Sequence, residues 1–136
     1  MPDFTSSANR ILLIDDDSGL RTLVITMLTR IGLQAWSAET GIEGLEILKS
    51  EDFNLLILDL MLPDMDGFQV LEKLRANTRW DDLPVLILSA RADTEAITRA
   101  LALGADGYLT KPYLTNSLTD RVKTMLTQGR KKPDQA

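Results

Sequence analysis

Apolar residues lie along this chain in two alternating patterns: short unbroken runs, and longer stretches in which they recur every three or four positions. The first run, RILLI at Arg10 to Ile14, has the continuous hydrophobicity of a strand buried on both faces. Behind it Leu20, Leu23, Val24, Met27, Leu28 and Ile31 share one face of a helix, which Gly32 is placed to stop. QAWSA, Gln34 to Ala38, is less apolar and reads as an edge strand. Thr40 and Glu43 stand at capping-box spacing and open a second helix with Ile42, Leu45 and Leu48 inward. LLIL, Leu55 to Leu58, is the next buried strand. After the turn LPDMDG, the positions Phe68, Val70, Leu71 and Leu74 predict a third helix, ended by the polar segment ANTRWDD. PVLILSA, Pro84 to Ala90, is a fourth strand, followed over Thr94 to Leu103 by a fourth, less strongly amphipathic helix. GYLT, Gly107 to Thr110, is a short fifth strand, and Leu118, Val122, Met125 and Leu126 line a last helix.

Five strands alternating with five helices in 136 residues require short crossovers and a parallel sheet covered on both faces. The predicted class is α/β, doubly wound, with one domain over residues 10–128. Residues 1–9 read as a flexible N-terminus, and 129–136 as a C-terminal tail or the start of a linker. In such sheets ligands bind beyond the carboxyl ends of the strands. The residues predicted there are Asp15, Asp16 and Asp17 after the first strand, Asp59 after the third, Ser89 at the end of the fourth and Lys111 after the fifth. Asp59 follows an apolar run in which a charge has no structural use.

Composition removes several kinds of function. The net charge of -5 argues against a nucleic-acid surface, and the one basic run, GRKK at Gly129 to Lys132, reads as a solvated tail. There is no cysteine and no histidine, which excludes disulfides, thiolate chemistry and the usual general base. No segment has the length and apolarity of a signal peptide or a membrane span, so the expected setting is the cytoplasm.

Taken singly, each polar residue at the strand ends has an ordinary explanation. Asp17 before SGL caps a helix, Asp64 and Asp66 serve a turn and a cap, Asp15 and Asp16 are loop carboxylates, Ser89 satisfies a turn, and Lys111 is a solvated charge. Their convergence is harder to explain that way. Carboxylates at adjacent strand ends repel one another, so something positive belongs among them. A donor set without histidine or cysteine favours Mg²⁺, whose shell is often completed by a substrate phosphate. With Lys111 as a second positive charge and Ser89 as a hydroxyl donor, the arrangement suits a transferring phosphoryl group. Asp59 then reads as the nucleophile, forming an aspartyl phosphate without a histidine base.

LLIDDDSGLR, LLILDLMLPDMDG, PVLILSA and GADGYLTKPY stand in the order and spacing of a known family. Over about residues 10–128 the chain resembles the receiver domains of two-component response regulators, including the single-domain, chemotaxis-regulator type. The resemblance implies a flavodoxin-like (βα)5 three-layer sandwich with strand order 2-1-3-4-5. It implies that Asp59 is the phosphoacceptor, served by a sensor histidine kinase or a histidine phosphotransfer protein. Asp15, Asp16, Asp59 and the backbone carbonyl of Met61 would hold Mg²⁺ (or Mn²⁺), with Asp16 the more direct ligand of the acidic pair. Lys111 matches the family's lysine, with a cis bond to Pro112, while Ser89 and Tyr108 match the switch pair. Phosphorylation would draw Ser89 toward the phosphoryl group, turn Tyr108 inward and remodel the face of helix four, strand five and helix five. Met61 and Arg91 match positions that flank the path of attacking water, and their length implies slow self-dephosphorylation. The chain is then a signalling domain rather than a turnover enzyme, monomeric with possible dimerisation on phosphorylation.

Other classes compete. A flavodoxin-like FMN binder shares the topology, but DDDSG offers carboxylates where a cofactor phosphate needs neutral donors. An aspartyl phosphohydrolase would need a second acid where this chain has Met61. A receiver belonging to a longer transcriptional regulator, or a phosphorylation-independent interaction module, remains open on the same residues, so the downstream target is either another protein or a missing effector domain.

Overall fold

The computed structural model describes residues 10–112 and 115–130, so the expectations for residues 1–9 and 131–136 lie outside the described residues. Five strands, β1 (Arg10–Ile14), β2 (Gln34–Ala38), β3 (Leu55–Leu58), β4 (Val85–Ser89) and β5 (Gly107–Thr110), form one parallel sheet in the order β2-β1-β3-β4-β5. Five helices connect and follow them: α1 (Ser18–Arg30), α2 (Gly41–Ser50), α3 (Gly67–Arg75), α4 (Thr94–Ala102) and α5 (Thr115–Gln128). The doubly wound class, the strand order and the edge position of QAWSA are as expected. A short 3-10 helix, Thr78–Trp80, forms inside the segment read as merely polar.

The unbroken apolar runs are explained by the two cores. Alternate residues of each central strand point to opposite faces of the sheet. Leu12, Ile14, Leu56, Leu58, Val85 and Ile87 meet Leu48 of α2, Phe68, Leu71 and Leu74 of α3, and Ala96 and Ala100 of α4. Ile11, Leu13, Leu55, Ile57, Leu86 and Leu88 meet Val24 and Leu28 of α1 and Leu118 and Val122 of α5. Each helix with a described cap opens on an oxygen side chain: Asp17 accepts from the Leu20 amide, Thr40 from Glu43, Asp66 from Phe68 and Asp93 from Ala96. Gly32, at φ 89°, ends α1 in the left-handed conformation that its sequence position implied.

Three local expectations are corrected. Leu23 and Ile42 are exposed rather than inward. On α2 the inward stripe is Gly41, Gly44 and Leu48, and a Cβ at Gly44 would collide with Ile14, so this helix lies close to the sheet because its contact face is partly bare backbone. Ile42 falls on the other side. At the start of α2, the Glu43 carboxylate accepts from the Glu39 amide, so the capping box closes on Glu39 rather than on Thr40. Helix α4 is two-sided after all, with Ala96 and Ala100 buried and Glu95, Thr98 and Arg99 exposed.

Candidate functional site

Among the described residues, the buried polar and charged ones are Asp15, Asp59 and Ser89, all at the carboxyl edge of the sheet. The ladder itself puts them there. The Asp15 amide donates to the Ala38 carbonyl at 3.0 Å and the Asp59 amide to the Ile14 carbonyl at 3.0 Å, each one residue beyond its strand. Similarly, the Lys111 amide donates to the Ser89 carbonyl at 2.8 Å. Register therefore delivers the three chain crossings to one point.

The side chains meet around Lys111. Its Nζ donates to Asp15 Oδ2 at 2.9 Å and to Asp59 Oδ2 at 3.0 Å. The remaining oxygens are held by backbone: Asp17 N–H donates to Asp15 Oδ1 at 2.9 Å and Met61 N–H to Asp59 Oδ1 at 3.1 Å. Asp15 is thereby engaged at both carboxylate oxygens, whereas Asp16 is exposed and makes no such contact with the lysine. Burial pushes the Asp59 carboxyl above its ordinary value, with the Asp15 charge adding to the rise and the Met61 and Lys111 bonds opposing it. For Lys111, burial alone would lower the ammonium's pKa, but the bonds to Asp15 and Asp59 raise it, so the charge is secure.

Asp15, Asp16 and Asp59 each offer an oxygen within 4.8 Å of the others, close enough to share one cation. Three carboxylates face one ammonium, so a divalent cation matches the uncompensated charge, and an all-oxygen donor set suits Mg²⁺. The residues present thus fit the metal expected from the sequence. Asp16, Asp17, Asp59 and Lys111 line an open cleft of about 420 Å³ together with Met61, Leu62, Pro63 and Ala90, with Asp15 buried behind them. A cleft of similar size, about 440 Å³, opens at the other end of the sheet beside Phe53 and Trp80, so size does not distinguish the two. Convergent carboxylates do.

The other expected residues are placed as follows. The Ser89 hydroxyl accepts from the Arg91 amide at 3.2 Å, on its own loop. Tyr108 is already docked on that loop, its hydroxyl donating to the Arg91 carbonyl at 2.7 Å, in a setting where burial raises its pKa. Met61 is on the cleft rim and exposed. Arg91 is turned to Asp93, which its guanidinium grips at 3.2 and 3.0 Å, and it does not line the cleft. The Lys111–Pro112 bond is cis. Asp17 serves as the cap of α1.

Two further contacts brace the surroundings of the site. Arg21 Nη1 donates to the Asp15 carbonyl at 2.9 Å, tying α1 to the acidic loop. Asp64, read as a turn residue, lies in the bend and also accepts from the Gly41 and Ile42 amides of α2 at 2.8 Å each. Neither has a local signature, because the partner of each is a backbone group on another element or loop. No helix among the described residues is long and apolar enough to cross a membrane.

Comparison with known proteins agrees with this geometry. The family model described as response regulator receiver domain matches residues 11–123. The transcriptional regulatory protein AfsQ1 of Streptomyces coelicolor is 39% identical over 119 residues, covering 88% of this chain and 52% of that protein. GltR of Pseudomonas aeruginosa, also a transcriptional regulatory protein, is 38% identical over 125 residues, or 92% of this chain and 52% of its own. The chain therefore spans about half the length of these curated relatives. Among solved structures, the CheY-like receiver domain protein of Methanospirillum hungatei JF-1 superposes with a TM-score of 0.82 at 32% identity, covering 88% of this chain and 94% of the other. A family match over most of the chain, a relative at 39% identity and a solved receiver domain of the same fold make this chain a member of the response regulator receiver domain family of two-component signalling.

Proposed function

We propose that Asp59 accepts a phosphoryl group from a histidine kinase or a histidine phosphotransfer protein in a Mg²⁺-dependent reaction. The observation that carries this reading is the Asp59 carboxylate itself: buried, held on one oxygen by Lys111 and on the other by the Met61 amide, and open to a cleft beside two further carboxylates. Lys111 and the Met61 amide hold the nucleophile in place, so attack on phosphorus forms the new P–O bond without a large rearrangement. The bond from phosphorus to the donor's leaving group breaks as the new one forms, and the donor keeps the proton needed to leave. Lys111 then faces the added charge. The Mg²⁺ expected on Asp16, Asp59 and the Met61 carbonyl, with Asp15 behind them, would neutralise phosphoryl oxygens.

The output follows from the loop after β4. Ser89 leaves the Arg91 amide to donate to the phosphoryl group, and Tyr108, already bonded to the Arg91 carbonyl, carries the loop movement to α4 and β5. Phosphorylation thus biases a two-state face rather than creating one. Relatives named as transcriptional regulators favour a transcriptional output, with the acidic domain itself making no DNA contact.

Intact mass after exposure to acetyl phosphate tests the reaction. One phosphoryl group is expected on the native chain with Mg²⁺, and none on Asp59→Asn or in the presence of chelator. Equal phosphorylation of the Asn variant would assign the acceptor elsewhere. Once formed, the phosphoryl group is lost slowly, because the Met61 side chain covers the rim. Replacing Met61 and Arg91 by alanine should speed the loss several-fold, on the order of 1 kcal/mol of barrier, with Met61→Ala alone giving most of it. Unchanged decay in the double variant would remove both residues from this role.

A further inference from the structure

The loop between Asp59 and Gly67 carries the carbonyl expected to bind the cation, and it is fastened at two separate places. Its base is closed by a backbone bridge between Met61 and Asp66 and by Gly67 N–H donating to the Leu60 carbonyl at 2.9 Å. Gly67 is packed so tightly here that a Cβ would come within 2.5 Å of the Asp59 carbonyl oxygen. Its tip is fastened to a different element, the first turn of α2. Both oxygens of Asp64 are used there, Oδ1 by Gly41 N–H and Oδ2 by Ile42 N–H, at 2.8 Å each. Met65, next in the chain, lies against the same turn, where a Cβ on Gly41 would stand 2.6 Å from its Cγ.

These contacts are built for each other. A carboxylate at a helix N-terminus is favoured by the unpaired amides and by the helix dipole. The small burial of Asp64 is outweighed by its amide bonds, which hold its carboxyl below the ordinary range, so the clasp is charged at neutral pH. Gly41 supplies both an amide for the aspartate and the space for the methionine. Asp64 is 22 or 23 positions from its partners, so the contact fixes the loop's tip against a helix formed far earlier in the chain.

We propose that Asp64, seated on Gly41 and Ile42, is a positioning residue for the cation site, setting the direction of the Met61 carbonyl from the outer side of the loop. This rests on the reading of Asp59 as a Mg²⁺-dependent phosphoacceptor. Met61 belongs to the base, and the Asp64 clasp braces the loop on its outer side. With the tip free, the Met61 carbonyl is constrained from one side only, and a small, rigid ion such as Mg²⁺ tolerates little error in ligand direction. Groups that orient a metal ligand without touching the metal commonly govern affinity by about 10-fold or more.

The test uses the whole chain and variants that release the contact from opposite sides: Asp64→Ala, which removes the acceptors, and Gly41→Ala, which pushes Met65 away. Asp64→Asn, retaining one acceptor oxygen, serves as the conservative variant. Mg²⁺ dissociation constants come from calorimetric titration of the unphosphorylated protein, thermal midpoints from the metal-free protein, and phosphorylation rates by acetyl phosphate from a Mg²⁺ series. The expected result is a dissociation constant about 10-fold higher in each alanine variant, partly restored by asparagine, with the rate at saturating Mg²⁺ within about 2-fold of the parent. The double variant should be little worse than either single one, because both break one contact. A lower thermal midpoint with unchanged Mg²⁺ affinity would reduce Asp64 to a helix cap and overturn the proposal. If the parent itself binds no Mg²⁺, or if Asp59→Asn binds it as well as the parent, the site reading fails and this inference goes with it.

Discussion

Two clusters of partly buried charge stand at opposite ends of the sheet, and they are near mirror images. At the carboxyl ends of the strands, one cation, Lys111, lies between two carboxylates, Asp15 and Asp59. At the amino ends, one carboxylate, Asp106, lies between two guanidinium groups, Arg75 and Arg130, at 3.0 Å from each. Each cluster has an excess of one sign. They differ in how the excess is met. Arg75 donates to the carbonyls of Gly104, Trp80 and Leu83, and Arg130 to those of Asp81 and Gly104, while Val85 N–H completes Asp106. The left-handed turn at Gly104, with φ 112°, helps aim a carbonyl at both arginines. Burial and the neighbouring Arg130 bring the Arg75 pKa down to about 10, which still leaves it charged at neutral pH. At the other end, Asp15 and Asp59 receive one backbone amide each, Asp16 is exposed, and the cleft is open. Excess charge that the backbone absorbs holds a fold together; excess charge facing a cleft is accessible to a ligand of opposite sign.

The comparison breaks most readily at Asp106. Asp106→Ala leaves two arginines facing each other without their shared carboxylate and orphans the Val85 amide at the start of a central strand. Removing one partner from a pair this buried costs about 3 kcal/mol, readable as a fall in the urea midpoint with an unchanged slope. At a temperature where the variant stays folded, phosphorylation at Asp59 should be nearly normal, because the lesion is at the far end of β4 and β5. A loss below about 1 kcal/mol would place this cluster among ordinary surface ion pairs.

The two ends also differ in how far the sequence reveals them. Apolar runs and strand ends locate Asp15, Asp59, Ser89 and Lys111, because in a parallel sheet the residue after each buried run is forced to one edge. Helix caps at Asp17 and Asp66 are equally local, one side chain and an amide two or three residues on. Nothing local identifies the Arg75 cluster. Its acceptors are mostly backbone carbonyls, which have no residue-type signature, and its ion pairs link positions 24 and 31 apart. Arg130 accordingly reads as part of a basic tail, although its guanidinium is packed against the domain. The exposed Ile42 has a related cause: hydropathy counts side chains, whereas α2 contacts the sheet partly through glycines that have none. Asp64 combines both difficulties, a distant partner and a backbone one.

The Asp59 end makes the opposite stability prediction, smaller in size. Asp59→Asn removes one of three clustered carboxylates while keeping the shape, so in Mg²⁺-free buffer at neutral pH the variant should be more stable by about 1 kcal/mol, a few degrees in thermal midpoint. The sign of its pH dependence follows from the raised carboxyl. The folded protein keeps this proton to higher pH than the unfolded chain does, so the stability it contributes is complete below the unfolded-state value and is lost as pH rises through the folded-state value. The advantage of the Asn variant should therefore be full at neutral pH and shrink on acidification through that window, other carboxylates cancelling between the two proteins. Adding Mg²⁺ should reverse the order, since binding to the native state alone stabilises it. Thermal melts of both proteins from about pH 4 to 7, with and without Mg²⁺, give the three comparisons together. An advantage of the same size at every pH would mean that the Asp59 charge costs the fold nothing, and the contrast with Asp106 would no longer hold.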